Sequence, residues 1–299
     1  MNSELDKVRQ YYDGDDEENR FCDPRKKIEY INTCKIIAPY IKPGCELLDC
    51  AAGTGAYEEY LLTLGCKRIV ASDLSPRNVG ILSQRCSNYP QVEAFVDNAL
   101  ELSRHSNGSF DVVLCLGPMY HLRPELSEKC LLECMRVLKD HGKLIVAYMP
   151  RHFVFWNLLN NPVYNVPFNE VIFLARNGYL PSSRKGFWGC TYFSSPEEME
   201  NLANRVKLHV VEHRAVDLEL GNFYDKIGNC SQDELKILCN FTIAASITIN
   251  PYNYQNAEKL LALIADFGFD RLKVRPVKPA GNVMLNRDVF LRRISMFIL

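Results

Sequence analysis

The stretch that most narrows what this chain can fold into is residues 47–57, LLDCAAGTGAY. Two leucines suited to a buried strand end at Asp49, a run of small residues follows, and a helical pattern begins near Ala56 and continues through Tyr60, Leu61 and Leu62. The expected local structure is a strand, a tight turn and a helix N-terminus. Gly53 and Gly55 place no side chain between backbone N–H groups and a ligand, so a ligand can lie directly on the turn, within reach of the helix dipole. A nucleotide-like ligand is the first expectation.

Short glycine motifs arise by chance, and dinucleotide-binding turns use one too. The sequel is more informative. The run Arg68-Ile69-Val70-Ala71-Ser72 ends in Asp73, at the spacing where an acid on the second strand tip reaches ribose hydroxyls. A third run alternates Val92, Ala94 and Val96 and ends in Asp97, placed to accept from an exocyclic adenine amine. A fourth, residues 110–116, leads into Gly117-Pro118-Met119-Tyr120-His121-Leu122.

On these residues the chain resembles the class I S-adenosylmethionine-dependent methyltransferases, and within them the small-molecule type with a GPxYHL motif after the fourth strand. The resemblance covers roughly residues 10–235, through YYDGDDEENR, LLDCAAGTG, VASDLS, VDNALEL, FDVVLCLGPMYHL and ECMRVLKDHGKLIVAYM. It departs at Ala51, where the family more often has the first glycine of the loop; alanine fits there if its φ stays below zero. The resemblance implies a Rossmann-like α/β fold, with a mostly parallel central sheet and helices on both faces. It also implies S-adenosylmethionine as cofactor, with S-adenosylhomocysteine as product. The implied cofactor contacts are Asp49, Ala51, Gly53, Thr54 and Gly55 on the first turn, Asp73 and Leu74 on the second strand tip, Asp97, Asn98 and Ala99 on the third, and Leu116 and Gly117 on the fourth. The acidic and aromatic segment 4–20 reads either as a solvated tail or, by the resemblance, as a lid in which Tyr12 packs on the cofactor and Arg20 meets its carboxylate. Arginine suits that task because its planar fork binds carboxylate bidentately.

The remaining pattern supports an α/β chain. Ile28, Ile31, Cys34 and Ala38 mark a helix over 25–41, stopped by Pro43-Gly44. The helix over 56–64 ends at Gly65, and Ser75-Pro76 opens another. Residues 126–138 form a helix with Leu132, Met135 and Leu138 inward, and Asp140-His141-Gly142 turns it into a fifth strand over 143–149, His141 being structural. Strands apolar on both faces, alternating with helices, predict a parallel sheet covered on two sides, with the ligand site off the strands' carboxyl ends. Between residues 151 and 193, Phe153, Phe155, Trp156, Tyr164, Phe168 and further aromatics crowd a segment broken by prolines and glycines. It is read as an insertion that caps the pocket and excludes water. Ser195-Pro196-Glu197-Glu198 is a capping box opening a helix to about Val206. Residues 208–214 read as a sixth strand with His209 and His213 on one face, without the further ligands a metal site needs. A helix follows over 232–243.

At the C-terminus, 244–249 and 271–277 look like strands around a helix over 255–267. INPYNYQNAEKLL and KVRPVKPAG weakly resemble one unit of a radical S-adenosylmethionine barrel, but the chain has no CxxxCxxC, so no iron–sulfur chemistry carries over. Either 244–249 completes the sheet and the rest is an appendix, or the tail is an oligomer contact. The organisation expected is a lid segment 1–24, a cofactor-binding domain 25–240 and a C-terminal extension 241–299.

Composition sets the class of partner. With 299 residues, 47% hydrophobic and 24% charged, the chain can bury a full core. A net charge of -1 and a pI near 6.6 offer no general attraction to phosphate backbones, so no nucleic-acid partner is expected. No apolar run reaches membrane-spanning length; the terminal ISMFIL is too short. Twelve cysteines are scattered through strands and helices without a signal peptide, which predicts reduced thiols and a cytoplasmic protein. Cys130 and Cys134, one helical turn apart, read as small buried hydrophobes because no CxxC or histidine completes a metal set.

The chemistry follows from the implied cofactor. A sulfonium methyl is already activated, so the protein needs to align a nucleophile opposite the sulfur and remove a proton if the nucleophile bears one. His121 is the candidate base; the other reading is a histidine that bonds backbone to shape the pocket. Tyr120 lines the pocket or orients the acceptor. Gly117 stands where base-methylating enzymes carry a side-chain acceptor, which favours a small-molecule substrate; it does not distinguish oxygen, nitrogen, sulfur or carbon as the acceptor atom, and oxygen or nitrogen is the expectation. Two alternatives remain: a nicotinamide-dependent oxidoreductase, disfavoured because Glu58 stands where the third glycine would be, and a cofactor-binding but catalytically silent interaction protein.

Overall fold

In the computed structural model the described residues are 3–14, 17–151, 166–180, 186–216 and 295–298, with Val154, Leu158, Ser231, Asp233 and Glu234 as single positions. The apolar runs after each turn signal become the strands β1 (Glu46–Asp49), β2 (Arg68–Asp73), β3 (Val92–Val96), β4 (Phe110–Cys115) and β5 (Leu138–Tyr148). They pair in parallel, β3 with β2, β2 with β1, β1 with β4 and β4 with β5. Two further strands, β6 (Glu212–Ala215) and β7 (Ser295–Ile298), complete the order β3-β2-β1-β4-β5-β7-β6, and β7 runs antiparallel to both its neighbours.

Alternate residues along the central strands point into two separate cores. Leu48, Val70, Val113, Leu144 and Val146 pack on one face with residues of the helices α5 (Pro124–Val137) and α7 (Pro196–Arg205). Leu47, Ile69, Val112, Leu114 and Ile145 pack on the other with α2 (Pro24–Ile37), α3 (Glu58–Thr63) and α4 (Pro76–Arg85). Strands covered on both faces carry no polar side, which is why they read as continuous apolar runs. The remaining described helices are α1 (Ser3–Gly14) and α6 (Phe168–Asn177). Among the described residues no helix is long and apolar enough to cross a membrane.

Local stop signals act as the sequence suggests. Ser75 Oγ accepts from Asn78 N at 3.1 Å with Pro76 in the first turn of α4. Ser195 and Glu198 form the reciprocal capping box of α7, at 3.1 and 2.7 Å. Gly65 leaves α3 with φ +89°, a conformation glycine adopts without steric cost.

Several expectations need correction. Helix α5 buries Cys130, Leu131, Cys134 and Val137, whereas Leu132 is 49% exposed, so the inward face is rotated by one residue from the leucine-based reading. The small cysteines fit against the sheet where the larger leucines were expected. Strand β5 begins at Leu138, before the Asp140-His141-Gly142 turn, which becomes a bulge with His141 at φ 65°. Helix α2 ends at Ile37, and Ala38–Tyr40 tightens into a single 3-10 turn around Pro39. Strand β6 starts at Glu212, so His209 lies outside it; His213 Nε2 bonds Tyr148 Oη at 3.0 Å. The strand between β5 and β6 is the terminal Ser295–Ile298, so these residues belong to the sheet and not to an appendix. Residues 244–249, 255–267 and 271–277, and nearly all of 232–243, lie outside the described residues.

Candidate functional site

The carboxyl ends of the first four strands and the N-terminal segment enclose one cavity. Asp49, Ala51, Gly53 and Thr54 reach it from the turn after β1, Asp73 and Leu74 from β2, and Asp97, Asn98 and Ala99 from β3. Leu116, Gly117, Tyr120 and His121 come from the segment after β4, and Tyr12 and Arg20 from the N-terminus. Gly55 is the exception. Its φ is +79°, and a Cβ there would stand 2.4 Å from Leu82 Cδ1, so it serves the close packing of the turn on α4 and does not line the cavity. Ala51 does not adopt a positive φ, and it faces Gly117, where an added Cβ would meet its methyl at 3.3 Å. The extra methyl on one side is matched by a missing side chain on the other.

Asp73 holds the turn and the second strand together. Its Oδ2 accepts from Gly53 N at 3.0 Å, and its Oδ1 from Ser75 N at 2.8 Å and Asn78 Nδ2 at 3.3 Å. Burial raises its pKa while these three donors oppose the rise. Asp49, 1% exposed, accepts only weakly from Ala51 N at 3.3 Å, and burial together with nearby Glu58 pushes its carboxyl well above the usual range. Glu58, fully buried behind the turn, is pushed up to about 7 by burial. Carboxyls crowded in this way lower their own energy when a cation arrives.

Three cavity residues present buried polar atoms without a hydrogen-bond partner, Asn78 through its Oδ1, Asp97 and Arg20. Asp97 Oδ1 accepts from Asn98 N at 2.8 Å, but Oδ2 has no hydrogen bond and lies 3.8 Å from His105 Nε2. Arg20 Nη2 forks onto Glu29 at 2.8 and 3.0 Å and Nη1 reaches Glu17 at 3.4 Å, which leaves Nε as the buried donor without a partner. The expectation that the Arg20 fork is free for a ligand carboxylate is therefore corrected: the fork is committed to protein acids. A buried polar atom without a partner is costly, so each of these marks a place for a ligand group.

The N-terminal segment packs as a helix, not as a solvated tail. Leu5 and Val8 are buried at 7% exposure and line the cavity with Tyr12, and Ser75 Oγ donates to Asp13 at 2.5 Å. Tyr12 Oη and His121 Nε2 are 2.8 Å apart, and His121 Nδ1 is 2.7 Å from Cys190 O. A carbonyl oxygen only accepts, so Nδ1 carries the proton and Nε2 accepts from the Tyr12 hydroxyl. Burial pushes the His121 pKa down to about 4, and the imidazole is neutral at neutral pH.

The described residues of the aromatic insertion stand beside the main cavity. No described residue of 151–193 lines the main cavity. Val154, Leu158, Val171, Leu174, Leu180 and Phe193 form a small core of their own, against which Phe187 and Trp188 pack. The segment reaches the site through Cys190 O and through Tyr179, Thr191 and Tyr192, which wall a smaller neighbouring cavity with Lys7, His121 and Arg123. Phe153, Phe155, Trp156 and Tyr164 lie outside the described residues. The cavity residues missed in the sequence include Leu5, Val8, Glu17, Glu29, Tyr57 and Asn78. The spacing of Leu5, Val8 and Tyr12 marked one helical face and was a usable signal; Glu29 carried none, since only the fold brings it to Arg20.

Residues 47–142 match the family model described as a methyltransferase domain. Over 105 residues the chain is 28% identical to a methyltransferase-like protein of Schizosaccharomyces pombe, a match covering 35% of this chain and 38% of that protein. Among solved structures the fold is similar to that of a Pyrococcus horikoshii protein, with 21% identity, 68% of this chain and 95% of that one covered, and a TM-score of 0.52. It is also similar to that of a SAM-dependent methyltransferase of Methanosarcina mazei, with 17% identity, coverage of 62% and 90%, and a TM-score of 0.51. The architecture is the Rossmann-like class I methyltransferase fold.

Proposed function

We propose that this chain is a methyltransferase that uses S-adenosylmethionine and passes its methyl group to a small-molecule acceptor through oxygen or nitrogen. The observation that carries the reading is the convergence of four strand tips and α1 on one cavity that holds Asp49, Gly53, Asp73 and Asp97 together. The donor set suits such a cofactor: Asp73 for ribose hydroxyls, the unpartnered Asp97 Oδ2 for the adenine amine, Asp49 for a cationic amino group and Arg20 Nε for a carboxylate. When bound, the cofactor supplies an electrophilic methyl on a sulfonium sulfur. The chain's own work is then to align the acceptor, exclude water with α1 and take up a proton. His121 takes that proton at Nε2 by way of the Tyr12 hydroxyl, which already occupies that lone pair, and Tyr120 lines the acceptor side. Gly117 and the near-zero net charge support a small acceptor over a nucleic-acid base.

Calorimetric titration of the full chain with S-adenosylmethionine and S-adenosylhomocysteine tests the reading. Saturable binding of both, lost in Asp73→Ala, is the expected result. Binding of a nicotinamide dinucleotide in their place would overturn it, and unchanged affinity in Asp73→Ala would remove the ribose contact.

A further inference from the structure

Beneath the cavity the structure gathers a second set of reactive groups. Cys50 follows the last residue of β1, and Cys115 ends β4 beside it, with Cys50 N bonded to Leu114 O at 3.0 Å. Helix α5 lays Cys130 and Cys134 over the pair. The Sγ atoms of Cys50, Cys115 and Cys134 lie within 4.8 Å of one another, and Cys130 Sγ is 3.9 Å from Cys115 Sγ. All four side chains are at most 2% exposed. Three separate elements thus aim thiols at one point. In the sequence only the helix pair was visible, because the two strand cysteines are far from it along the chain.

We propose that Cys50, Cys115, Cys130 and Cys134 form a binding site for one thiophilic metal ion of the zinc class. Zinc–sulfur bonds of about 2.3 Å in a tetrahedron place the sulfurs roughly 3.8 Å apart, so the spacing of Cys50, Cys115 and Cys134 closes around an ion by small side-chain rotations, and Cys130, beside Cys115, turns in as the fourth ligand. Each ligating thiol gives its proton to solvent, and the two positive charges of the ion offset two of the resulting thiolates. Cys50 also lines the cofactor cavity, which gives an ion its way in. Occupancy would stiffen the junction of β1 and β4 on which Asp49, Ala51 and Gly117 stand.

The test uses the full chain, purified reduced and metal-free, and titrated with Co²⁺ and then Zn²⁺. One equivalent of Co²⁺ should give an intense sulfur-to-cobalt charge-transfer band with tetrahedral ligand-field absorption, and Zn²⁺ should abolish both. Cys34→Ala, which removes a buried cysteine of α2, should keep the band. Cys130→Ala and Cys134→Ala should each weaken binding by more than the roughly 10- to 100-fold typical of losing a supporting group, with circular dichroism showing that the variants are folded. If neither helix variant folds, the wild-type titration still decides. The absence of a thiolate band at excess Co²⁺, or a band that survives loss of both helix cysteines, overturns the proposal.

Discussion

Both nitrogens of His121 are committed, one to a carbonyl of the insertion and the other to the hydroxyl of α1. The pairing fixes the tautomer, and burial keeps the ring uncharged. An NMR titration should find the His121 ring in the Nδ1–H form down to about pH 5, where an ordinary histidine would already have titrated near about 6.5. An inflection near that ordinary value would contradict the buried, doubly bonded arrangement. On the proposed function the hydrogen-bonded Tyr12 and His121 would act as one unit, so Tyr12→Phe and His121→Ala should each slow methyl transfer by about 10²-fold, and the double variant should be hardly worse than either. Multiplicative losses would show that the two residues act separately.

At the scale of an element, α5 shows how packing overrides a simple hydrophobic pattern. Leucines mark a helix, but they do not say which neighbour will face the sheet when smaller cysteines compete for the same stripe. The structure makes Leu131 a core residue at 1% exposure and leaves Leu132 49% exposed. Leu131→Ala should therefore cost about 2 to 5 kcal/mol in denaturant unfolding, and Leu132→Ala no more than about 0.5 kcal/mol. The reverse order would mean that the helix is rotated as the sequence alone suggested. Helix α7 is the contrasting case. Its capping box is a short-range bond between Ser195 and Glu198, and it was legible because nothing distant decides it.

For the whole molecule, two buried titratable groups set opposite pH windows. Glu58 is pushed up to about 7, above its unfolded value near 4.5, so the folded chain holds its proton more tightly. Stability from this group is present below about pH 4.5 and declines as pH rises toward about 7, by at most about 3 kcal/mol. His121 has the opposite sign: its folded pKa is lowered to about 4, so stability is present above about 6.5 and is lost as pH falls toward 4. Glu58→Gln removes only the first effect, so its melting temperature relative to wild type should climb between about pH 5 and 7.5. A pH-independent difference between the two would rule out the raised carboxyl. The parallel sheet, its turn signals and the acids at its strand tips were readable from residues alone, because alternation, caps and tip positions are local consequences of chain geometry. What required the tertiary structure was every pairing between distant segments: Arg20 with Glu29, Tyr12 with His121, four cysteines from three elements, and the terminal Ser295–Ile298 seated between β5 and β6. Sequence periodicity marks an element as having a buried side, while which residues fill that side, as in α5, and which partner lies across the interface depend on how whole elements pack, and no short-range pattern encodes that.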